Sequence, residues 1–513
     1  MPKRSSKAIP IDGDTLTLEA VERIADGAPC ALTAGAARRV DAASRTVETA
    51  ARKPALTYGV NTGFGHLASV RIDRAHLAEL QLNLVRSHAA GVGQPLPERT
   101  VRAILALRAN CLARGHSGLR KTTLVRMIEL LETGITPVVP EQGSVGASGD
   151  LAPLAHIALV LVGEGEVLRD GRRTASARAL ARARLAPLTL GPKEGIALIN
   201  GTQVMTAIGG LALLRAERLA VTADIVGAMT LEALKGSHAA FDRRIHEARP
   251  QRGQRSSAAN LRKLLRDSPI ERSHADCGRV QDAYSLRCMP QVHGAVRDTL
   301  RFVREVLAIE INASTDNPMV FAEDDRLISG GNFHGQPIAM ALDHLATAVC
   351  SLATISERRI ERLVNPALSD LPPFLAKDAG LHSGLMMAHV TAAALVSENK
   401  VLAHPASVDT IPTSAGKEDH VSMGAHAARK ASAIVDNAER VLAIEALAAA
   451  PALDFLKPLA PGRGVAAAHA AFRRTIRTLD SDRVLAPDIE RATAIVAEER
   501  MRAAAEKVVG ALA

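Results

Sequence analysis

The chain has no tryptophan, two tyrosines and eight phenylalanines, so aromatic residues make up 2% of its 513 positions. A surface that stacks the bases of single-stranded nucleic acid needs rings this chain does not have. A basic stripe is missing as well. Against 63 Lys and Arg stand 54 Asp and Glu, leaving a net charge of +9 with both signs interleaved. Lys3-Arg4-Ser5-Ser6-Lys7 is the one compact basic run. Nucleic acid is therefore not an expected partner. The five cysteines, at 30, 111, 277, 288 and 350, are odd in number and form no Cys-x-x-Cys. That argues against a disulfide framework or a structural zinc site. His246-Glu247 lacks the second histidine of a metalloprotease helix, so no metal is expected. Met1 to Gly13 has no apolar signal core, and no run reaches about 18 apolar residues, so neither export nor a membrane span is expected. A reduced, cytoplasmic protein fits these absences.

Hydrophobic residues at 47% and charged residues at 23% lie in the globular range. With so few rings, core volume must come from Leu, Val, Ile and much Ala, which favours helix. The first 200 residues are punctuated by Gly and Pro. Short β-like pieces, Leu56 to Val60 and Ile135 to Pro140, alternate there with helical windows such as Leu77 to Arg86 and Arg102 to Ala113. From Gly195 the texture changes to long Ala- and Leu-rich stretches with apolar residues at helical spacing. These are Ile199 to Lys235, Ile338 to Leu363, Gly384 to Leu402, His420 to Leu447 and Ile489 to Leu512. The expectation is a mainly α chain: a mixed α/β part over 1–199, followed by a long antiparallel helical bundle over 200–513.

Polar residues and glycines crowd into four windows: Tyr58 to Gly65, Gly143 to Asp150, Gln281 to Arg287 and Ser329 to His334. Both tyrosines fall inside them. No Lys-Ser/Thr pair follows Gly143 to Asp150, which removes a phosphate loop. Gly146-Ala147-Ser148-Gly149-Asp150 is one residue from a nucleophile elbow, so a Ser148 hydrolase and a plain turn both stay open at this point. Gly462-Arg463-Gly464 has neither the strand nor the later acid of a dinucleotide loop.

Ala147-Ser148-Gly149, inside Gly-Ser-Val-Gly-Ala-Ser-Gly-Asp-Leu-Ala-Pro-Leu-Ala-His, resembles the signature of the aromatic amino-acid ammonia-lyases and related aminomutases. The likeness extends in order through Tyr58 to Gly65, Ser87 to Gly91, Asn200 to Gln203, Gln281 to Arg287, Asp316-Asn317-Pro318, Gly330 to His334 and His404 to Met423. The resemblance implies a methylidene-imidazolone electrophile made by the chain from Ala147, Ser148 and Gly149, with no external cofactor. Those residue types suit it: Gly149 has an unhindered nitrogen, Ser148 a hydroxyl to lose, and Ala147 little bulk. By the same resemblance Tyr58 is the base that removes the β-proton. Arg287 clamps the substrate carboxylate through its planar fork. Asn200, Gln281 and Tyr284 surround the substrate and ring, and Phe333 packs beside them. A homotetramer with sites built from several subunits is also implied.

Within that family the pair at Ser87-His88 resembles the histidine lyases, as does Glu418. An imidazole substrate needs hydrogen-bonding partners, and His88 can be one. Elimination of ammonia from L-histidine to give trans-urocanate is the implied reaction. Gly416-Lys417, Met289, His382 and His389 depart from the histidine-lyase pattern. Lys417 either pairs with Glu418 or meets an anionic group on a modified substrate. A lyase or aminomutase for another aromatic amino acid is the alternative inside the family. A serine hydrolase and a non-catalytic helical scaffold are the alternatives outside it.

Overall fold

The computed structural model describes residues 8–169, 171–278 and 280–513, and the basic run at Lys3–Lys7 lies outside them. Helix dominates, with twenty α-helices among the described residues. Two compact units are present. The first runs to Leu211 and takes in Arg304–Asp343 and Pro405–Arg429; the second comprises Ala212–Val303, His344–His404 and Lys430–Ala513. The chain therefore leaves the first unit and returns to it twice.

In the first unit, short helices alternate with four small sheets. Ile9–Ile11 and Cys30–Leu32 pair in parallel, and the other three sheets are antiparallel ribbons. Local sequence explains the helix starts. Thr17 and Thr33 accept hydrogen bonds from Ala20 N and Ala36 N at 3.1 and 3.3 Å, each satisfying an amide that the first helical turn leaves free. Leu56 to Val60, expected as β-like, is instead a turn. The Asn61 side chain accepts from Thr57 N at 2.7 Å and donates to Ala55 O at 2.9 Å, so local polar bonding outcompetes strand pairing. Ile135 to Pro140 yields two short strands, Thr136–Pro137 and Pro140–Gln142.

The long helices are Gln203–Ala233, Met289–Glu310, Gln336–Val364, Met386–Leu402 and Gly424–Asp454. In the second unit Asp224 meets His293 while Ala220 O meets Arg297, so those two helices run in opposite directions. Asn437 with Asn399, and Lys430 with His404, give the same antiparallel sense to the last pair. Small residues allow close approach: a Cβ on Gly209 would lie 2.4 Å from Leu342 Cδ2. Inside the second unit the ionic groups are paired. Arg359 donates to both oxygens of Glu445, which also takes the Thr230 and Ser356 hydroxyls, and all are buried. Gln336–Val364 is the one helix among the described residues long and apolar enough to cross a membrane, and 67% of its most apolar window is buried within the protein. The expected single helix Ile489 to Leu512 is two, Ala486–Ala497 and Arg500–Val509. Glu499 breaks it with φ +53, a left-handed conformation that cannot continue a right-handed helix.

Candidate active site

The first unit contains a cavity of 510 Å³ whose wall includes Tyr58, His88, Ala147, Ser148, Asn200, Phe333, Lys417 and Glu418. These residues come from six separated stretches of sequence.

The turn carrying Ala147 to Gly149 is held from three sides. Ser144 Oγ accepts from Gly146 N at 3.1 Å and donates to Asp150 Oδ1 at 2.9 Å. Ser422 Oγ donates to Gly146 O at 2.9 Å, and Met423 N to Val145 O at 2.8 Å. The third hold is Asp150. Its other oxygen takes Val204 N and Met205 N, both at 3.0 Å, and so caps the helix Gln203–Ala233. Its own amide donates to Gly201 O at 2.7 Å. Gly149 sits at φ +69, and a Cβ there would lie 2.3 Å from Gly201 O, so no other residue fits. Burial pushes the Asp150 carboxyl up to about 6, against the pull of its hydrogen bonds.

Ser148 Oγ donates to Glu418 Oε1 at 2.8 Å, and Thr413 Oγ1 donates to Glu418 Oε2 at 2.6 Å. Serine and acid thus face each other across the cavity, with both carboxylate oxygens engaged. Tyr58 presents its hydroxyl to Gly65 N at 3.3 Å and its ring edge-on to Phe64. Burial raises the phenol above its ordinary value; the Gly65 amide lowers it and the Glu418 charge raises it again. His88 Nδ1 lies 2.8 Å from Leu84 O, which can only accept, so that nitrogen carries the proton and Nε2 keeps a lone pair. Burial holds the His88 ring below its ordinary pKa, favouring the neutral form, although Leu84 O and Glu418 pull upward. Asn200 is 3% exposed; its Nδ2 reaches Asn317 O at 3.4 Å while its Oδ1 has no partner.

Several residues singled out in the sequence stand elsewhere. Gly149 lies behind the wall, against Gly201. Ser87 is exposed; its hydroxyl donates to Leu84 O at 3.1 Å and lies 3.1 Å from His88 Nδ1. Gln281, Tyr284 and Arg287 are not in this wall. They form a cluster in the second unit, where Arg287 donates to Gln281 Oε1 at 2.8 Å and to Asp282 O at 2.9 Å and lies 4.8 Å from the Tyr284 ring centroid. Tyr284 is 71% exposed. Lys417 lines the cavity without an ion pair to Glu418. Of the departures, Met289 is buried, His389 bonds Glu357 at 2.9 Å, and His382 accepts from Asp482 N at 3.4 Å. None of these three lines the cavity.

The wall also contains Phe64, Asn317, Asp419 and the stacked pair His334 and His420, whose ring centroids are 5.9 Å apart. All fall inside the stretches that carried the resemblance, but nothing in their spacing singled them out. Beside Asn317, Lys193 and Asp316 form a fully buried ion pair at 3.0 Å.

The family profile described as aromatic amino acid lyase matches residues 16–474. The histidine ammonia-lyase of Anaeromyxobacter sp. strain K is 58% identical over 498 residues, covering 95% of this chain and 98% of that one. Among solved structures, the tyrosine aminomutase of Streptomyces globisporus superimposes with a TM-score of 0.94 at 42% identity, covering 99% of this chain and 100% of that one. The histidine ammonia-lyase of Trypanosoma cruzi gives 0.91 at 42% identity, covering 98% and 95%. A helical scaffold presenting a glycine-locked serine turn to a carboxylate and a phenol is, with these relatives, a carbon–nitrogen lyase. More narrowly, the chain belongs to the aromatic amino acid lyase family.

Proposed function

We propose that the chain eliminates ammonia from L-histidine to give trans-urocanate. The observation that carries this reading is the meeting of Ser148 with Glu418 at 2.8 Å in a cavity that also holds Tyr58 and a neutral His88. The lone pair on His88 Nε2 matches the N–H of a substrate imidazole. The relatives that are 54–58% identical over nearly the whole chain and carry the name histidine ammonia-lyase support the same substrate.

The turn fits a methylidene-imidazolone formed from Ala147, Ser148 and Gly149. Ala147 is 6% exposed, Gly149 has no room for a side chain, and the buried Asn200 Oδ1 is left with acceptor capacity. Ring closure joins the Gly149 nitrogen to the Ala147 carbonyl carbon and releases two waters, one carrying the Ser148 hydroxyl. When present, the group supplies an electrophile that makes the substrate amine a better leaving group, and no external cofactor is needed. The protein's own residues do the rest. Tyr58 takes the β-proton. Glu418 accepts the imidazole N–H or the proton shed by departing ammonia. Asn200 and Phe333 bound the reacting centre, and Lys417 lies at its edge.

Arg287, with Gln281 and Tyr284, completes the site from a second copy in a homotetramer, holding the substrate carboxylate bidentately. The helix Met386–Leu402 supports self-association: it buries only Ala388, Ala392 and Asn399, while Met387, Val390 and Val401 are 60%, 49% and 73% exposed. A cytoplasmic location belongs to the same reading. The tyrosine aminomutase likeness favours one second reading, an aminomutase of the same chemistry.

The test is to incubate purified protein with L-histidine, L-tyrosine and L-phenylalanine, following the unsaturated acid in the ultraviolet and any β-amino acid by chromatography. Urocanate from histidine is expected. The wild-type mass should fall two waters below the translated sequence. Ser148→Ala should be inactive, with its translated mass unchanged. A full-mass, fully active wild type removes the ring.

A further inference from the structure

A second cavity, of 430 Å³, lies in the second unit, and none of its lining residues lines the Tyr58–Glu418 cavity. Its wall is unusually basic. Arg243 comes from the short helix Arg243–Ala248, and Arg252, Arg255 and Arg262 come from the helix Arg252–Leu264. Spacings of three and seven put the last three on one helix face. The four are spread over twenty positions and form no run in the sequence; the turn between the two helices brings them together.

Few of these charges are neutralised. Arg243 is paired with Glu247, the one acidic side chain in the wall. Arg262 donates one N–H to Phe241 O at 2.7 Å, a neutral acceptor. Arg252 and Arg255 are exposed, and their side chains make no hydrogen bond or ion pair among the described residues. His246 adds no charge: burial holds its pKa down, Nε2 bonds Ala240 O at 3.1 Å and Nδ1 accepts from Gln254 at 3.1 Å. Burial and the neighbouring Arg243 depress the Arg262 guanidinium, while Asp242 and Glu247 pull it upward. Ala513, at the remaining edge, has a main-chain oxygen taken up by Asn260 at 2.9 Å and Arg297 at 2.6 Å.

We propose that this cavity binds a small anion carrying two or more linked phosphates. Its volume lies in the range of small-ligand sites. Two unpartnered guanidiniums one helical turn apart, about 5–6 Å at their Cβ atoms, are close enough to reach one polyanion together. The planar fork of each is shaped for two oxygens of one phosphate. No Phe, Tyr or Trp lines the wall and the His246 ring is buried and bonded on both nitrogens, so the ligand is recognised by its charge rather than by a stacked base.

The experiment titrates the purified full chain with sodium tripolyphosphate by calorimetry and follows its thermal unfolding. Sodium citrate at matched ionic strength is the comparison, because exposed charges respond to salt alone. The wild type should bind one tripolyphosphate per chain, and its unfolding temperature should rise with the probe. Arg252→Gln/Arg255→Gln removes exposed side chains only and should keep the fold and the unliganded turnover. Its affinity for tripolyphosphate should fall at least tenfold. Lys at both positions should recover part of the binding, keeping charge but losing the forks. Absence of heat with the wild type overturns the site. So does binding by the double variant within twofold of wild type, or citrate binding as tight as tripolyphosphate.

Discussion

Burial raises the Tyr58 phenol, and the charge on Glu418 raises it further, while only the Gly65 amide opposes them. If Tyr58 is the base, as proposed, its phenolate form is opposed by its own acidic neighbour, and removing that neighbour has a defined sign. In Glu418→Gln the raising charge is gone and the Tyr58 pKa drops. The rising limb of kcat/KM against pH should then move to lower pH, even though maximal turnover falls. A limb that stays in place or moves upward would separate Tyr58 from the proton transfer. Tyr58→Phe should lower kcat by about 10²–10⁴-fold with little change in KM, the usual weight of one acid–base group. Steady-state rates with histidine check it. Part of the site was legible at this scale, because Tyr58, Ser148 and Phe333 each stood in a polar, glycine-rich stretch that a packed core does not choose, while Asn200 and Glu418 were named only by the family resemblance. Lys193 with Asp316 was not, since the two are 123 positions apart and only the fold makes them a pair.

Among the elements, the helix Gln203–Ala233 does more than fill the core. Its first free amides are taken by Asp150, so the helix start and the Ala147–Gly149 turn are parts of one hydrogen-bonded assembly. Asp150→Ala leaves Val204 N, Met205 N and the Ser144 hydroxyl without their acceptor. The cost should be about 1–2 kcal/mol from the cap, with more from the buried orphaned groups. A lower unfolding temperature is expected, together with a population that retains one or both waters in the intact mass. Hydrophobic periodicity gave four of the five long helices with ends within about seven residues, because their apolar faces repeat for many turns, but it did not single out Met289–Glu310. It gave Ile489 to Leu512 as one helix because the left-handed Glu499 is a backbone choice with no signature in that pattern. The Leu56 to Val60 turn escaped for a related reason: its apolar residues read as β, while the Asn61 side chain that fixes the turn lies just outside the run.

For the whole molecule, the decisive observation is that Arg287 is not in the wall of the cavity it is proposed to serve. If a second copy supplies it, two dead variants should repair each other. Ser148→Ala and Arg287→Ala chains, each inactive alone, should regain activity when co-expressed. With random mixing, about a quarter of the sites would draw an intact Ser148 and an intact Arg287 from different subunits. Turnover near that fraction, with light scattering to count the subunits, is the expected result. Complete inactivity of mixed tetramers would return Arg287 to a role within its own chain. The sequence carried the order of the motifs but not this arrangement, since a list of positions does not say which copy of the chain each one faces.

The contact of Gly149 with Gly201 has a consequence in time. The turn takes its shape only when the stretch leading into the Gln203 helix is already in position behind it. Under the proposed ring closure, chemistry at Ser148 waits on architecture, and a chain that never assembled that region would remain heavier by two waters. If the proposed ring forms, each mature chain keeps a permanent record of its own maturation, written in covalent bonds that survive denaturation. A mass spectrum of unfolded protein should report what fraction of the chains had once been folded.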